Sequence, residues 1–197
     1  MDTVQLLVFS LIWIGIVYCF NSLLARKFIA IEPKKALLYI VTMAALGLLG
    51  EIVFDSTYRF VFGRPLWEYH VLPIHNAYTS VYSLFLWGMV GLHIYLLHGV
   101  LQSKGVTSLH KLAAIFCAEA IILEVLVNLT FVAAFGDYIF YYNPGDLWHI
   151  TSLQTLPLYL LAGYITVSTL RFASRRQTLA TLGSTALALA LVGIGRW

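Results

Sequence analysis

Six stretches of this chain are each long and apolar enough to cross a lipid bilayer: about 3–24, 36–55, 78–99, 112–134, 150–170 and 178–195. A spanning helix needs roughly 20 mostly apolar residues, and in hydrocarbon only helices and closed barrels satisfy their own backbone polar groups. The sequence therefore predicts an all-α polytopic membrane protein, one membrane domain over 1–197. Composition agrees. Of 197 residues 60% are hydrophobic and 11% charged, against about 25% charged in soluble domains, and the mean hydropathy is +0.85. This excludes a soluble globular enzyme, a disordered chain and a dedicated nucleic-acid binder. The first stretch lacks a basic n-region and a small-residue cleavage site, so a retained helix is expected rather than a signal peptide. Cys19 and Cys117 both sit in apolar runs and read as inert small apolar residues.

Lys and Arg placement sets the expected orientation. Arg26, Lys27, Lys34, Lys35, Lys104, Lys111, Arg171, Arg175 and Arg176 fall on one face, in loops 25–35, 100–111 and 171–177. Only Arg59, Arg64 and Arg196 fall on the other. The basic loops are expected in the cytoplasm, in the plasma membrane or a bacterial inner membrane, with both termini outside.

The chain also repeats itself. Glu51-Ile-Val-Phe-Asp55 matches Glu124-Val-Leu-Val-Asn128, and Phe62-Gly63 matches Phe135-Gly136, all at an offset of 73. Trp67-Glu68-Tyr69-His70 aligns with Phe140-Tyr141-Tyr142-Asn143 at the same offset. Thr79-Ser80, Leu84, Leu86 and Gly91 match Thr151-Ser152, Leu156, Leu158 and Gly163 at 72. The unit is a helix, an outer aromatic loop and a helix. Repeat 1 runs over about 45–99 and repeat 2 over about 118–170, flanked by 1–35 and 178–197. Helices 2–3 and 4–5 would be parallel copies about an axis near the membrane normal.

An ionisable residue inside a spanning helix costs at least ~2.5 kcal/mol on insertion scales, so it needs a reason. Glu51 lies roughly 24 Å beyond Lys35, and Glu124 roughly 20 Å beyond Lys111, at the α-helical rise. The duplication puts the two at similar depth, with Asp55 and Asn128 one turn on and on the same faces. A cluster of Glu51, Asp55, Glu124 and Asn128 beneath the aromatic loops is expected. Two carboxyl groups in a low dielectric need not share one protonation state, and an acid beside a base is what general acid–base chemistry requires. Proton-coupled transport requires the same, and a purely structural reading has each Glu bonding Arg59, Arg64, a Tyr or a Trp to pin the bundle. Glu119 has no counterpart in the first repeat, where Leu46 stands. It projects away from Glu124 and falls level with His93, as a buried pair.

The loops 58–76 and 136–149 are rich in Tyr and Trp, which favour membrane interfaces. Their hydrophobicity points further, to a lid or re-entrant segment over the polar cluster. Trp67, Tyr69, His70, Tyr142, Asn143, Trp148 and His149 are the candidate pocket residues, and such walls suit an apolar ligand or a cationic one. His70, His75 and His149 with Glu68 and Asp146 match no metal-binding spacing. There is no phosphate-cradling Gly-rich loop and no Gly-x-Ser-x-Gly elbow. No metal and no cofactor is expected, and the oligomeric state stays open. Thr79-Ser80 and Thr151-Ser152 read as helix caps.

Gly50-Glu51-Ile52-Val53-Phe54, the run Thr79-Ser80-Val81-Tyr82-Ser83-Leu84-Phe85-Leu86-Trp87-Gly88, Glu124 followed by Asp137-Tyr138, and Ile150-Thr151-Ser152 through Pro157 to Gly163 together resemble a small membrane family. This is the ABC-transporter type IV family, which includes animal transmembrane protein 229. The resemblance covers about residues 45–165. A family-typical Trp-Asp-Tyr-Ser is replaced here by Phe140-Tyr141-Tyr142-Asn143. Members of that family, like this chain, have no nucleotide-binding motif of their own. Glu51-Ile52-Val53-Phe54 alone also resembles the start of integral-membrane terpene cyclases of meroterpenoid pathways. That resemblance implies a chemical pattern in which an acid protonates an epoxide or olefin and aromatic walls stabilise the cation.

These readings converge on a membrane enzyme acting on a lipophilic, isoprenoid-type substrate by cyclisation, isomerisation or hydrolysis. Glu51 and Glu124 would be the acid–base pair, with Asp55 and Asn128 tuning them. The alternatives are a proton- or cation-coupled transporter or permease-like subunit, and a structural membrane protein. The expected partners are the bilayer and a lipophilic small molecule, with no nucleic acid.

Overall fold

The computed structural model describes residues 3–71, 74–75 and 79–194. The chain is mostly helical: α1 (Thr3–Ala25), α2 (Pro33–Phe62), α3 (Ser83–Ser103), α4 (Leu109–Phe135), α5 (Leu156–Ala173) and α6 (Gln177–Ile194). Among the described residues five segments are long and apolar enough to cross a membrane, the last of them Leu153–Gly193, which takes in α5, a 3-10 turn at Ser174–Arg176, and nearly all of α6. Arg196, read above as lying on the sparsely basic face, falls outside the described residues, as do both chain ends.

Helix limits follow backbone chemistry rather than hydropathy. The apolar stretch 36–55 ends where Asp55 and Arg59 begin, yet α2 runs on to Phe62. Nothing in Asp55–Phe62 forbids helix. The helix stops at Gly63, at φ 72°, whose N–H returns to the Arg59 carbonyl at 2.9 Å. α4 ends the same way at Gly136, φ 72°, with its N–H on the Val132 carbonyl at 2.8 Å. Both are left-handed C-caps that favour glycine. Pro33 opens α2, where its missing N–H costs nothing.

α2 packs chiefly on α3, and α4 on α5; α6 lies along α2 and α1 along α3. The loops expected to be lids begin with the last turn of α2 or the cap of α4 and carry short strands among turns and bends. Trp67–Tyr69 (β1) pairs antiparallel with Phe140–Tyr142 (β4), with Glu68 opposite Tyr141. A short ribbon of Ile74–His75 (β2) and Thr79–Ser80 (β3) lies nearby. These strands qualify the all-α expectation. Aromatic residues suit strands, and a backbone close to hydrocarbon must pair its polar groups. With side chains alternating, Trp67, Tyr69, Phe140 and Tyr142 turn inward and are buried, while Glu68, His70 and Tyr141 face the other way.

Candidate active site

Glu51 and Glu124 line one half-enclosed cavity of about 130 Å³ between α2, α3, α4 and α5, beneath the inward face of β1 and β4. Cavities on the order of 150 Å³ hold a benzene-sized group. Apart from Thr155 the rest of the wall is apolar or aromatic and includes Phe54, Trp67, Leu86, Leu123, Phe140 and Leu158.

Glu51 is 6% exposed. Its Oε1 accepts from the Tyr69 hydroxyl at 2.5 Å and from Trp87 Nε1 at 2.8 Å, and its Oε2 accepts from the Thr79 hydroxyl at 2.5 Å. Glu124 is held by the same positions of the second half. Tyr142 donates to its Oε2 at 2.9 Å, and Tyr159 donates to that same oxygen. Tyr69 and Tyr142 share the offset of 73, and Trp87 and Tyr159 share 72. The third donor breaks the parallel. Thr151, which matches Thr79, faces Glu124, but both Thr151 Oγ1 and Glu124 Oε1 are buried with no hydrogen-bond partner among the described residues. Glu124 thus has two phenol donors, both on Oε2, with the Thr151 hydroxyl beside it in the place that Thr79 takes at Glu51. Burial, with a carboxyl group alongside, holds the phenols of Tyr69 and Tyr142 well above their ordinary value, so both stay donors.

Trp87 reaches Glu51 across Gly47, one turn earlier on α2. A Cβ there would meet the indole at 2.1 Å. Gly47→Ala is therefore expected to displace the ring from Glu51, read as a shift in tryptophan emission relative to Gly99→Ala, where nothing lies within 4 Å.

The other predicted residues do not join the cavity. Asp55 Oδ1 accepts the backbone N–H of Leu66 at 2.6 Å and of Trp67 at 3.4 Å. Asn128 Oδ1 accepts from Ile139 N–H at 3.1 Å, and its amide donates to the carbonyls of Phe140 at 2.8 Å and Ile150 at 3.1 Å. Both fasten the strands instead of touching the glutamates. His70, Asn143, Trp148 and His149 lie away from the cavity. His70 bonds Asp137 at 2.8 Å and stacks on Tyr141, which stacks in turn on His149 at 4.1 Å. Asn143 holds the Pro65 carbonyl and Glu68, and Trp148 is 79% exposed. Asp137 is exposed; what desolvation it suffers raises its pKa, but the His70 hydrogen bond and the Tyr138 N–H outweigh that and hold it below its ordinary value. The alternation of a three-residue strand decides which rings face inward, and that phase was invisible in the sequence.

The capping expectation holds for Ser152, the N-cap of the 3-10 turn Leu153–Thr155, whereas α3 has Tyr82 at its N-cap and no side-chain cap, Ser80 bonding only within the turn before it. Ser80 Oγ accepts from Tyr82 N–H at 3.1 Å, and Ser152 Oγ from Gln154 N–H at 3.2 Å. Thr79 instead belongs to the site. Trp87, Tyr159 and Thr79 are the residues sequence reasoning missed as site residues. The signal was available, because Trp87 and Tyr159 are ring-bearing donors at matched positions.

His93 Nε2 lies 3.3 Å from Glu119 Oε2, and its Nδ1 accepts from Asn21 Nδ2 at 2.9 Å. This buried group joins α1, α3 and α4 and lies outside the cavity lining. Both cysteines are free. Among the described residues no three His, Cys, Asp or Glu side chains are grouped to hold a metal; the side chain of His75 is outside them. Comparison with protein-family models, with curated proteins and with solved structures finds no significant match.

Proposed function

We propose that this chain is an integral membrane enzyme performing general acid–base chemistry on a lipophilic, isoprenoid-type substrate, with Glu51 and Glu124 as the working pair. The observation that carries the reading is that two carboxyl groups, each held by an aromatic donor from its strand and one from the following helix, line one largely apolar cavity. Three donors on Glu51 suit an ionised carboxylate, which only accepts. Glu124, whose two phenol donors both sit on Oε2, is assigned the role of the acid that gives its proton to the substrate. Isomerisation balances without a co-reactant: one proton enters from Glu124, one leaves to Glu51, and a double bond moves. Cyclisation closes the same way, with the aromatic walls facing the intermediate cation. Asp55 and Asn128 are positioning residues that set the strands over the cavity.

The architecture belonging to this reading is six spans with helices 2–3 and 4–5 duplicated, both termini outside and the basic loops cytoplasmic. The 41 residues of Leu153–Gly193 are about twice what one crossing needs. The duplication is supported by the matched donors on the two glutamates, the matched Gly63 and Gly136 caps, and the pairing of β1 with β4 centred on Glu68 and Tyr141. The likeness to the ABC-transporter type IV family stands as part of this proposal.

The test begins with mass spectrometry of lipids retained by the purified protein, followed by incubation with the lipid identified. Glu51→Gln and Glu124→Gln should each lower turnover by about 10²-fold or more, with expression and melting temperature preserved. Full activity in both variants removes the acid–base pair and leaves a structural role. A second reading, proton- or cation-coupled transport, is favoured by the Asn21–His93–Glu119 group, which adds buried polar atoms on the α1 side of the bundle. Proton uptake by proteoliposomes that Glu119→Gln abolishes would select it.

A further inference from the structure

The cavity is too small for the whole of a lipophilic substrate. Its volume of about 130 Å³ takes a benzene-sized group, and an isoprenoid-type molecule carries a tail beyond that. A second hollow, of about 30 Å³, lies between α1 and α3, bounded by Phe9, Trp13, Ile14 and Phe85 and by the hydroxyl pair of Ser10 and Tyr82. Leu86 and Met89 line both spaces, so these two side chains of α3 stand between them. Met89 is unbranched, and its thioether chain adapts to neighbouring shapes. The polar groups of the smaller hollow are already partnered. Ser10 donates to the Leu6 carbonyl at 2.8 Å, the Tyr82 hydroxyl lies 2.7 Å from Ser10 Oγ, and Trp13 Nε1 donates to Thr130 at 3.2 Å. An apolar chain is the occupant that leaves those bonds intact. At the rim Ile14 is 39% and Phe85 60% exposed, so the hollow opens on the outer side of the α1–α3 pair.

We propose that the α1–α3 hollow is the tail subsite of the active-site cavity. The reacting end of the lipid lies between Glu51 and Glu124, and its alkyl tail passes between Leu86 and Met89 to reach Trp13 and Phe85. Met89 is the residue that sets whether a tail passes. The inference rests on the acid–base reading only in seating the reacting end between the two glutamates. It gives α1, which lies outside the repeated unit, a part in the site as the wall of the tail.

The test photolabels the full chain in maltoside micelles with phenyloctane bearing a diazirine at the penultimate chain carbon, and locates the label by peptide mass spectrometry. Benzene, which fits the cavity alone, is the competitor, and its own binding is read as a rise in melting temperature. In the native protein the label should reach the buried Phe9 and Trp13 of α1, and benzene at about ten times its dissociation constant should lower that labelling about tenfold. The exposed Leu7 and Leu11 report probe dissolved in the micelle, and their labelling should ignore benzene. Met89→Phe, stiffer and bulkier, should remove the benzene-sensitive labelling of α1 while benzene still raises the melting temperature. Label at Phe9 and Trp13 that benzene leaves untouched shows two unconnected hollows and overturns the proposal. So do label absent from Phe9 and Trp13, a melting temperature that benzene does not move, and undiminished benzene-sensitive labelling in folded Met89→Phe. Should that variant not fold, the competition in the native protein decides alone. Absent competition, with turnover lost in Glu51→Gln and Glu124→Gln, sinks this inference and spares the acid–base reading. Competition with full turnover in both of those variants does the reverse.

Discussion

Asp55→Ala should destabilise the protein by about 2–4 kcal/mol and release the strand cover from the cavity. Asp55 is fully buried, and its Oδ1 takes the N–H groups of Leu66 and Trp67 just before and at the start of β1. Each buried group left unpaired costs about 1–3 kcal/mol, and alanine offers no acceptor. The second half supplies the control, since Asn128 does the same work at the offset of 73. Asp55→Asn keeps an acceptor and should cost under about 1 kcal/mol. Asn128→Asp should cost more, about 2–4 kcal/mol, because it replaces two amide donations to the Phe140 and Ile150 carbonyls with an oxygen facing two oxygens. Thermal melting in detergent, with limited proteolysis of the strand loops, measures both effects. Asp55→Ala melting with the native protein, or Asp55→Asn as damaging as Asp55→Ala, would show that the strands are held some other way.

That latch also marks where the sequence stopped being readable. The apolar segments were legible because bilayer thickness imposes a length that no soluble fold mimics. The pairing of Glu51 with Glu124 on one cavity was legible because each recurs in register with Phe-Gly and Thr-Ser. The job of Asp55 and Asn128 was not. Same-face spacing along the helix put them with the glutamates, but a turn further along α2 and α4 the neighbouring surface is strand backbone, and a carboxylate or amide there meets N–H groups first. Trp87 and Tyr159 were hidden for another reason. An aromatic ring in an apolar helix looks like lipid-facing bulk until the fold shows its N–H or O–H turned inward. Asn21 was hidden likewise, as an amide in an apolar helix, although it supplies the α1 contact to His93.

The largest effect on packing should come from a single methyl group. Gly91 of α3 lies against α2 so closely that a Cβ would sit 2.6 Å from the Tyr39 carbonyl oxygen and 2.8 Å from Ile40 Cα. Gly163 of α5 meets α4 in the same manner, 2.5 Å from the Ala113 carbonyl oxygen. The obstacles are backbone atoms, which cannot rotate away as a side-chain tip can. Helix pairs in membranes depend on such close approach, having little hydrophobic force between them. Gly91→Ala and Gly163→Ala should therefore each force a helix pair apart and cost about 2–3 kcal/mol, at the upper end for overpacking. Alanine favours helix by up to about 1 kcal/mol over glycine, so the exposed Gly99 of α3, with nothing within 4 Å, should be neutral or slightly stabilised by the same change. Gly91 lies one turn from Trp87, so Gly91→Ala should also pull the indole from Glu51, shift tryptophan emission and lower turnover. Gly163 lies one turn from Tyr159 and should disturb Glu124 in the same way. If Gly91→Ala and Gly99→Ala denature alike, α2 and α3 do not pack as described, and the cavity that depends on their approach loses its wall.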